Sequence, residues 1–253
     1  MADNLDVQPR DRPVLALRPM SAEYDETWIH HPHCAPDQLL ELDASESTHL
    51  VKVLRIAEGT LCTVTDGKGA VMQARLDRAD HKRSQLRCLE LVAQMARPAH
   101  SLAQAVLKNR GLEDVVELCT QVPVHSIQAL WTRRVQVPRG RELDHQLERL
   151  RAKAVSGLQQ SKQAWLCQIP EPMEWGAWLE RTTASGEPIL VCHPTDTSPA
   201  GEAKGWLAVG PEGGFSPEEI EMARENGCGL LSLGNSRLRA VAAGFWALGQ
   251  RSA

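Results

Sequence analysis

From about residue 100 onward, short apolar runs alternate with longer segments in which apolar residues recur at helical spacing. The runs have the length of buried strands, and the longer segments have the length of surface helices. Such alternation predicts a mostly parallel sheet that is covered by helices on both faces. The predicted strands are 102–107, 126–131, 189–192, 206–209 and 230–233, and the predicted helices are 112–121, 144–159, 217–226 and one from about 238.

The preceding part of the chain follows a different pattern, which is typical of a small β-rich domain. Residues 50–55 have the spacing of a short helix, and three later runs alternate apolar and polar positions as half-buried strands do. These three runs are 60–65, 69–76 and 85–91. A linker is expected at 94–100. The expected divisions are a flexible terminus (1–12), a β domain (13–96) and an α/β domain (97–253).

The segment after the predicted strand 206–209 is expected to hold the functional site. Gly-Pro-Glu-Gly-Gly occupies 210–214, and Ser216 and Glu219 then have the spacing of a helix capping box. This arrangement places backbone N–H groups beside a cleft, where many α/β proteins bind a polar ligand. The loop has no lysine and no Gly-x-Gly-x-x-Gly spacing, which argues against a nucleoside triphosphate or a dinucleotide. A second glycine-ended strand, 230–234, predicts another wall of the same pocket.

Motifs along most of the chain carry a family resemblance. The most specific motif is Val-Gly-Pro-Glu-Gly-Gly-Phe-Ser at 209–216. The others are Val53-Leu54-Arg55, Gly59, Asp66-Gly67, Lys108, Gln159-Gln160-Ser161-Lys162, Pro170, His193-Pro194, Glu219, Leu233-Gly234 and Leu238-Arg239-Ala240. Together they resemble the signature of the RsmE family, the SPOUT-class enzymes that methylate N3 of a uridine in small-subunit (16S) ribosomal RNA. The resemblance extends from about Thr48 to the C-terminus.

The resemblance implies a fold, a cofactor and partners. The implied fold is α/β, with a SPOUT-type parallel sheet whose C-terminal segment forms a trefoil knot, after a PUA-like β-barrel that helps to bind ribosomal RNA. Handedness rules alone would give an open doubly wound sheet, so the knot rests on the resemblance. The implied methyl donor is S-adenosyl-L-methionine, held by backbone atoms of three loops at 192–194, 210–214 and 233–238. The implied assembly is a homodimer. The implied cofactor-binding residues are Cys192, His193, Gly210, Pro211, Glu212, Gly213, Gly214, Leu233, Gly234 and Leu238.

Two residues are candidates for the chemistry. Methyl transfer requires alignment of the nucleophile with the methyl group, and uridine N3 must lose or share its proton. Arg239, beside the third loop, is the first candidate to stabilise the developing negative charge; the alternative is an ordinary surface arginine. Glu212 would either orient the donor or the base, or only anchor its loop by accepting backbone hydrogen bonds.

The chain departs from the family pattern at several charged positions. Val241 and Ala242 replace the usual Glu and Thr, Ser236 replaces an Arg, and Gln159 and Gln163 replace a Glu and an Arg. These losses keep open a second hypothesis, a catalytically weakened or inactive SPOUT-fold protein that binds RNA during ribosome assembly. A third hypothesis is a small-molecule α/β enzyme that uses the same loop and has no affinity for RNA.

Basic residues are concentrated in two blocks, although the 253-residue chain has a net charge of −4. The first block, residues 49–97, contains nine Lys or Arg and five Asp or Glu. The second block, residues 131–162, contains eight Lys or Arg and three Asp or Glu. The second block has no ladder of opposite charges at i and i+4 to neutralise it. A solvated surface would explain the first block equally well on charge alone, but the resemblance favours RNA binding. The candidate RNA-contacting residues are Lys52, Arg55, Arg133, Arg134 and Lys162.

Composition is that of an ordinary soluble protein, with 42% hydrophobic and 24% charged residues. No run has the length of a membrane span, and the N-terminus lacks the pattern of a signal peptide. A cytoplasmic location is expected, or an organellar one in a eukaryote, and seven cysteines without a Cys-x-x-Cys pair fit a reducing compartment. His30, His31, His33 and Cys34 match no zinc spacing, so we expect a solvated loop there rather than a metal site.

Overall fold

The computed structural model describes residues 27–138, 142–194 and 204–251, and these residues fold around two β-sheets. The predicted flexible terminus, 1–12, lies outside the described residues. The two sheets use separate parts of the chain, because all strands of the first end by residue 94 and the second begins at residue 100.

The first sheet is a five-stranded unit with the order β1-β3-β4-β5-β2. Register shifts where β4 pairs with β5 bend both strands, because an extra residue on one strand locally increases its twist. The sheet curls into a half-barrel, which confirms the predicted small β domain. Its strands are β1 (Trp28–His30), β2 (Leu39–Glu41), β3 (Leu61–Thr65), β4 (Ala70–Arg78) and β5 (Gln85–Gln94).

The interior of the half-barrel is apolar. Its buried side chains include Ile29, Leu40, Val64, Met72, Leu76 and Leu86. Strands β1 and β2 each contribute one of these residues. Each strand is only three residues long, which is too short for the alternation of apolar and polar positions to be recognised in the sequence. The helix predicted at 50–55 is instead α1 (Ala44–Thr48), which continues into a π-helical turn (His49–Leu54).

The second sheet has six parallel strands in the order β11-β9-β10-β6-β7-β8. These strands are β6 (His100–Ala105), β7 (Ile127–Trp131), β8 (Met173–Glu174), β9 (Ile189–Cys192), β10 (Gly205–Val209) and β11 (Gly229–Leu231). The helices between and after them are α2 (Gly111–Cys119), α3 (Glu142–Gln160), α4 (Trp175–Ala184), α5 (Pro217–Glu225) and α6 (Ala240–Arg251).

Helices cover both faces of this sheet, which confirms the prediction from alternation. Successive residues of a strand point to opposite faces, so neighbours on β6 enter different cores. Leu102 packs with residues of α2, α3 and α6 on one face. Ala103 packs with residues of α4 and α5 on the other, around the fully buried Trp178.

Helix α4 is missing from the sequence prediction. Its Trp175, Trp178 and Leu179 have helical spacing and are all buried, so the signal was present. The β-branched Thr182 and Thr183 lower the intrinsic helix propensity of the segment. Packing of the two tryptophans against the sheet supplies the stability that propensity does not.

Hydrogen bonds to backbone carbonyls join the half-barrel to the second sheet's domain. Gly69 N–H donates to Ala164 O at 3.0 Å, and Trp165 Nε1 donates to Met95 O at 3.0 Å. Gly69 has a φ of 102°, and a Cβ there would lie 2.6 Å from Met95 O, so only glycine fits. These contacts hold the half-barrel in one orientation against the segment that follows α3.

The trefoil knot stays a prediction, because residues 195–203, which connect β9 to β10, lie outside the described residues. Strand β10 lies between β9 and β6, so the chain returns into the sheet instead of extending it at an edge. Among the described residues, no helix has the length and apolarity needed to cross a membrane.

Gly157 marks the closest approach of α3 to the end of α2. A Cβ there would lie 2.0 Å from Thr120 Oγ1 and 2.8 Å from Thr120 Cβ. We expect Gly157→Ala to lower the free energy of unfolding by about 1–3 kcal/mol, because the helices must separate or Thr120 must change rotamer. Urea and thermal unfolding measure this change.

Gly249→Ala in α6 is the matched control, because a Cβ there would meet no atom within 4 Å. It should be neutral or stabilising by up to about 1 kcal/mol, since alanine is the better helix former. Equal destabilisation of the two variants would contradict the packing described here.

Candidate functional site

The carboxyl ends of three neighbouring strands meet at one edge of the second sheet. Strand β9 pairs in parallel with β10 on one side and with β11 on the other, so all three end at the same edge. The loops that follow contain residues 192–194, 210–214 and 233–238. His193 N–H donates to Leu231 O at 3.0 Å and joins the first loop to the end of β11. The structure therefore brings together the three loops singled out in the sequence, at the edge where α/β proteins bind ligands.

The loop at 210–214 makes a tight turn that requires glycine at both ends. Gly214 N–H donates to Pro211 O at 2.8 Å, and Gly214 has a φ of 68°, in the left-handed region. A Cβ on Gly210 would lie 2.9 Å from Phe215 N and 3.0 Å from the carbonyl carbon of Gly214. A larger residue at 210 would have to displace the backbone itself.

This loop also presents unused backbone donors. No described residue accepts a hydrogen bond from the N–H groups of Glu212 and Gly213. Open space surrounds the Cβ positions of Gly214 and Gly234, where no atom lies within 4 Å. A ligand that is held by main-chain atoms requires free backbone N–H groups beside open space, and this loop provides both.

Gln104, a fully buried residue of β6, supports the start of the loop. Its Nε2 lies 3.5 Å from Val209 O and 3.4 Å from Gly210 O. Gly244 of α6 leaves room for this amide, because a Cβ there would lie 3.2 Å from Gln104 Oε1. The sequence analysis misses Gln104; the available signal is one polar residue inside an apolar strand, 102–107.

Glu219 ties helix α5 to the loop after β7. The predicted capping box is confirmed, because Ser216 N–H donates to Glu219 Oε2 (2.8 Å) and Glu219 N–H donates to Ser216 Oγ (3.2 Å). The other carboxylate oxygen, Oε1, accepts the N–H of Arg133 at 2.7 Å. The role of Glu219 in holding Arg133 is not visible from local sequence spacing, because the two residues are far apart in the chain.

The third loop is fixed through the final helix. Trp246 Nε1 of α6 donates to Leu233 O at 3.1 Å. Leu233 and Leu238 pack against the core on the α2–α3–α6 face. Gly234, with a φ of 99°, turns the chain between them.

Arg239 and Glu212, the two candidates for the chemistry, line one cleft of about 670 Å³. Both side chains are exposed. Glu212 Oε1 accepts the N–H of Lys108 at 3.1 Å, which ties the glycine loop to the loop after β6. The cleft is lined by Leu107, Lys108, Asn109, Arg110, Gly111, Asp114, Glu212, Arg237, Leu238, Arg239, Ala240 and Val241.

Burial shifts the pKa values of two of the predicted cofactor-binding residues, Cys192 and His193. Burial raises the pKa of the Cys192 thiol to about 12, so it is protonated near neutral pH and is not a nucleophile. Burial, and then the positive charge of Arg224, lower the pKa of His193, which keeps its imidazole neutral. Their side chains are therefore uncharged near neutral pH.

The predicted RNA-contacting residues fall into two groups. Arg133 and Arg134 lie beside the glycine loop, where Arg133 pairs with Glu218 at 2.8 Å and Arg134 Nη1 donates to Gly213 O at 2.7 Å. Lys52 and Arg55 belong to the π-helical turn and its end.

Arg55 adopts a left-handed conformation, with a φ of 55°. It lines a second cavity of about 920 Å³ together with His49 and with Gln159 and Gln160 of α3. The exposed Lys162 follows two residues after Gln160. The second group therefore surrounds the junction of the half-barrel with α3, apart from the glycine loop.

Many residues of the two basic blocks are neutralised by ion pairs. In the first block, Asp77, Asp80 and Glu41 pair with Arg75, Arg78, Arg83 and Arg87. In the second block, the sequence offers no ladder of opposite charges at i and i+4, but the structure supplies acidic partners for several of its cations. These partners come from other elements, which i to i+4 spacing cannot reveal: Glu113 with Arg149, Glu117 with Lys153, Glu171 with Arg151, and Glu218 with Arg133.

The histidine segment forms the end of β1 and the turn after it. Burial lowers the pKa of both His30 and His31. Across the described residues, no group of three or more His, Cys, Asp or Glu is placed to hold a metal ion.

Glu219→Gln tests the tie between α5 and the loop after β7. We expect a loss of about 1–3 kcal/mol in unfolding free energy, because an amide cannot accept both N–H groups and its NH₂ would face a donor. Glu218→Gln is the control, since that side chain is 67% exposed and pairs only at the surface; it should change stability by less than about 1 kcal/mol. Equal losses in denaturant unfolding would contradict the special role of Glu219.

Comparison with known proteins places this geometry in a family. Residues 96–251 match the family described as RNA methyltransferase domain, and residues 42–88 match the RNA methyltransferase PUA domain. The Synechocystis ribosomal RNA small subunit methyltransferase E is 32% identical over 235 residues, covering 87% of this chain and 76% of that protein. The protein of the same name from Mycobacterium bovis is 28% identical, covering 82% of this chain and 84% of that protein.

Solved structures show the same fold. The Legionella pneumophila protein Lpg2936, in complex with SAM, has a TM-score of 0.78 and 26% identity, covering 89% of this chain and 96% of that one. The ribosomal RNA small subunit methyltransferase E from Neisseria gonorrhoeae, bound to S-adenosyl methionine, has a TM-score of 0.80 and 21% identity. The match covers 88% of this chain and 95% of that one. The chain belongs to the RNA methyltransferase family that contains the ribosomal RNA small subunit methyltransferases E.

Proposed function

We propose that this protein transfers a methyl group from S-adenosyl-L-methionine to N3 of a uridine in small-subunit (16S) ribosomal RNA. The observation that carries the proposal is the meeting of three strand-end loops beside a cleft that contains Arg239 and Glu212. Membership of the family supports the reaction class. The uridine N3 target and the small subunit follow from the motif resemblance and the names of the relatives.

The residues at the sheet edge fit a donor that is held by main-chain atoms. Glu212 and Gly213 offer free N–H groups, and Gly214 and Gly234 leave open space beside them. When bound, S-adenosyl-L-methionine supplies a methyl group that its sulfonium already activates, so the protein has to position the reactants. The proposed donor contacts are Cys192, His193, Gly210, Pro211, Glu212, Gly213, Gly214, Leu233, Gly234 and Leu238.

Arg239 is proposed to stabilise the charge that develops on the uracil ring as N3 loses its proton. Its guanidinium has no ion pair among the described residues, so it is available to an incoming base. Glu212 has one oxygen engaged by Lys108 N–H, and its second oxygen remains to orient the base or the donor. We therefore propose that Glu212 both anchors its loop, through the hydrogen bond from Lys108, and orients the base or the donor.

The RNA is proposed to contact the protein at both basic groups. Arg133 and Arg134 would meet the RNA near the glycine loop, and Lys52, Arg55 and Lys162 would meet it at the junction of the half-barrel with α3. A uridine in a helix must leave its stack to reach the cleft, so phosphate contacts on both sides would hold its neighbours.

A second candidate function is RNA binding in ribosome assembly with weak or no turnover. Val241, which replaces the family's usual Glu, lines the cleft itself, so one carboxylate is missing from the site. Glu212 supplies a carboxylate in the same cleft, which favours retained catalysis. Donor and RNA binding without methyl transfer would favour the second candidate.

The direct test is methyl transfer from labelled S-adenosyl-L-methionine to small-subunit RNA and to assembled small subunits. Mass-spectrometric mapping would then locate the product. We expect 3-methyluridine at one position. Methylation of another base or atom, or no RNA binding at any salt concentration, would contradict the proposal.

Arg239→Ala should lower kcat by about two to three orders of magnitude, because it removes the cation that stabilises the developing negative charge. Donor affinity measured by calorimetry should change little, since main-chain atoms bind the donor. Arg97→Ala is the control, because this exposed arginine lies just before β6, at the opposite edge of the sheet. An unchanged kcat in Arg239→Ala would remove Arg239 from the reaction.

We further propose a homodimer that uses the outer side of α6. Phe245 is 37% exposed and Trp246 is 49% exposed, although both lie on a mostly apolar helix. Light scattering at micromolar concentration should give about twice the monomer mass, and Phe245→Asp should shift it to the monomer. A monomer in the unaltered protein would contradict this assembly.

A further inference from the structure

The cleft beside the glycine loop is lined by three cations that form no ion pair, and its lining also includes two carboxylates, those of Asp114 and Glu212. Lys108, Arg237 and Arg239 are exposed and form no ion pair with any described residue. A fourth cation of the lining, Arg110, pairs with Glu113 at 3.0 Å. This contrasts with the two basic blocks, where many cations have acidic partners.

The two walls of the cleft are held in place by the fold. On one wall, Glu212 binds the N–H of Lys108, and Asn109 turns the chain with a φ of 54° into α2. On the other wall, Leu238 packs into the core, and the arginines 237 and 239 flank it immediately before α6. The three unpaired cations therefore border one space on well-supported backbone.

The charge of the cleft selects between the two reactants. The methyl donor carries a sulfonium, an ammonium and one carboxylate, so its net charge is positive and unpaired cations disfavour it. An RNA strand carries one negative charge on each phosphate, and such cations favour it. The volume of about 670 Å³ is within the roughly 300–1,000 Å³ of ligand sites and is large enough for a nucleotide.

The donor side lies elsewhere at the same edge. Cys192, His193, Leu233 and Gly234 do not line this cleft, and burial holds the first two in uncharged forms. Among the proposed donor contacts, Glu212 and Leu238 also line the cleft, so the donor side and the cleft meet at these two residues. The reactants therefore approach Glu212 and Arg239 from two sides.

We propose that Lys108 and Arg237 bind the phosphates next to the target nucleotide, so that the cleft is the RNA side of the active site. This inference rests on the proposed function, in that it takes RNA as the substrate. Lys108 and Arg237 act as positioning residues, whereas Arg239 interacts with the base itself.

The test uses the full-length protein with Lys108→Gln and Arg237→Gln. Each variant should weaken RNA binding about tenfold at moderate salt and raise KM for RNA, with kcat at saturating RNA within about twofold. The slope of log K against log salt should fall by about 0.7–0.9 for each phosphate contact that is lost. Donor affinity by calorimetry should stay within about twofold.

Lys204→Gln and Arg97→Gln are matched controls, because these exposed cations lie at the opposite, amino-terminal edge of the sheet. They change net charge equally, so they measure the effect of overall charge on RNA binding. Salt slopes in the cleft variants equal to those of the controls would overturn the inference. A loss of donor affinity in the cleft variants would overturn it too, because it would place the donor in the cleft.

These outcomes separate the inference from the function on which it rests. Methyl transfer by the unaltered protein, with cleft variants that behave as the controls do, would overturn the inference and leave the function standing. Absence of RNA binding by the unaltered protein would overturn both.

Discussion

Parallel pairing of β9 with both β10 and β11 is the constraint on which the site depends. Because parallel strands end at the same edge, this pairing by itself places three separate loops beside one another. The close approach of Gly210 to the backbone of Gly214 and Phe215 then fixes the shape of the central loop. Gln104, Glu219 and Trp246 brace these loops from behind.

In the arrangement we propose, charge separates the two reactants. Acidic residues neutralise many of the cations on α3 and on the half-barrel, so the number of basic residues along the chain is a poor guide to where RNA binds. Lys108, Arg237 and Arg239 at the cleft form no ion pair with a described residue. The junction through Gly69 and Ala164 orients the half-barrel relative to α3. Position, more than total charge, therefore determines where a polyanion would bind.

Sequence reasoning recovered the parts of the fold that short-range chemistry determines. The capping box at Ser216 and Glu219, the long strands β4 and β5 and the alternation after residue 100 all carry local signals. The short strands β1, β2 and β8 and helix α4 escaped, because packing rather than propensity stabilises them. Contacts between distant segments, such as Glu219 with Arg133 and Glu212 with Lys108, leave no local pattern in a single sequence. The candidate residues were identified from sequence motifs. Their proximity could be inferred only because the carboxyl ends of neighbouring parallel strands lie at the same edge of a sheet.

Hydrogen–deuterium exchange with and without S-adenosyl-L-methionine, or its demethylated product, tests the central claim most directly. The account predicts slower exchange for amides in 192–194, 210–214 and 233–238, all on addition of the same ligand, with little change at the amino-terminal edge of the sheet. Protection confined to one loop, protection elsewhere in the chain, or no protection at saturating ligand would contradict it.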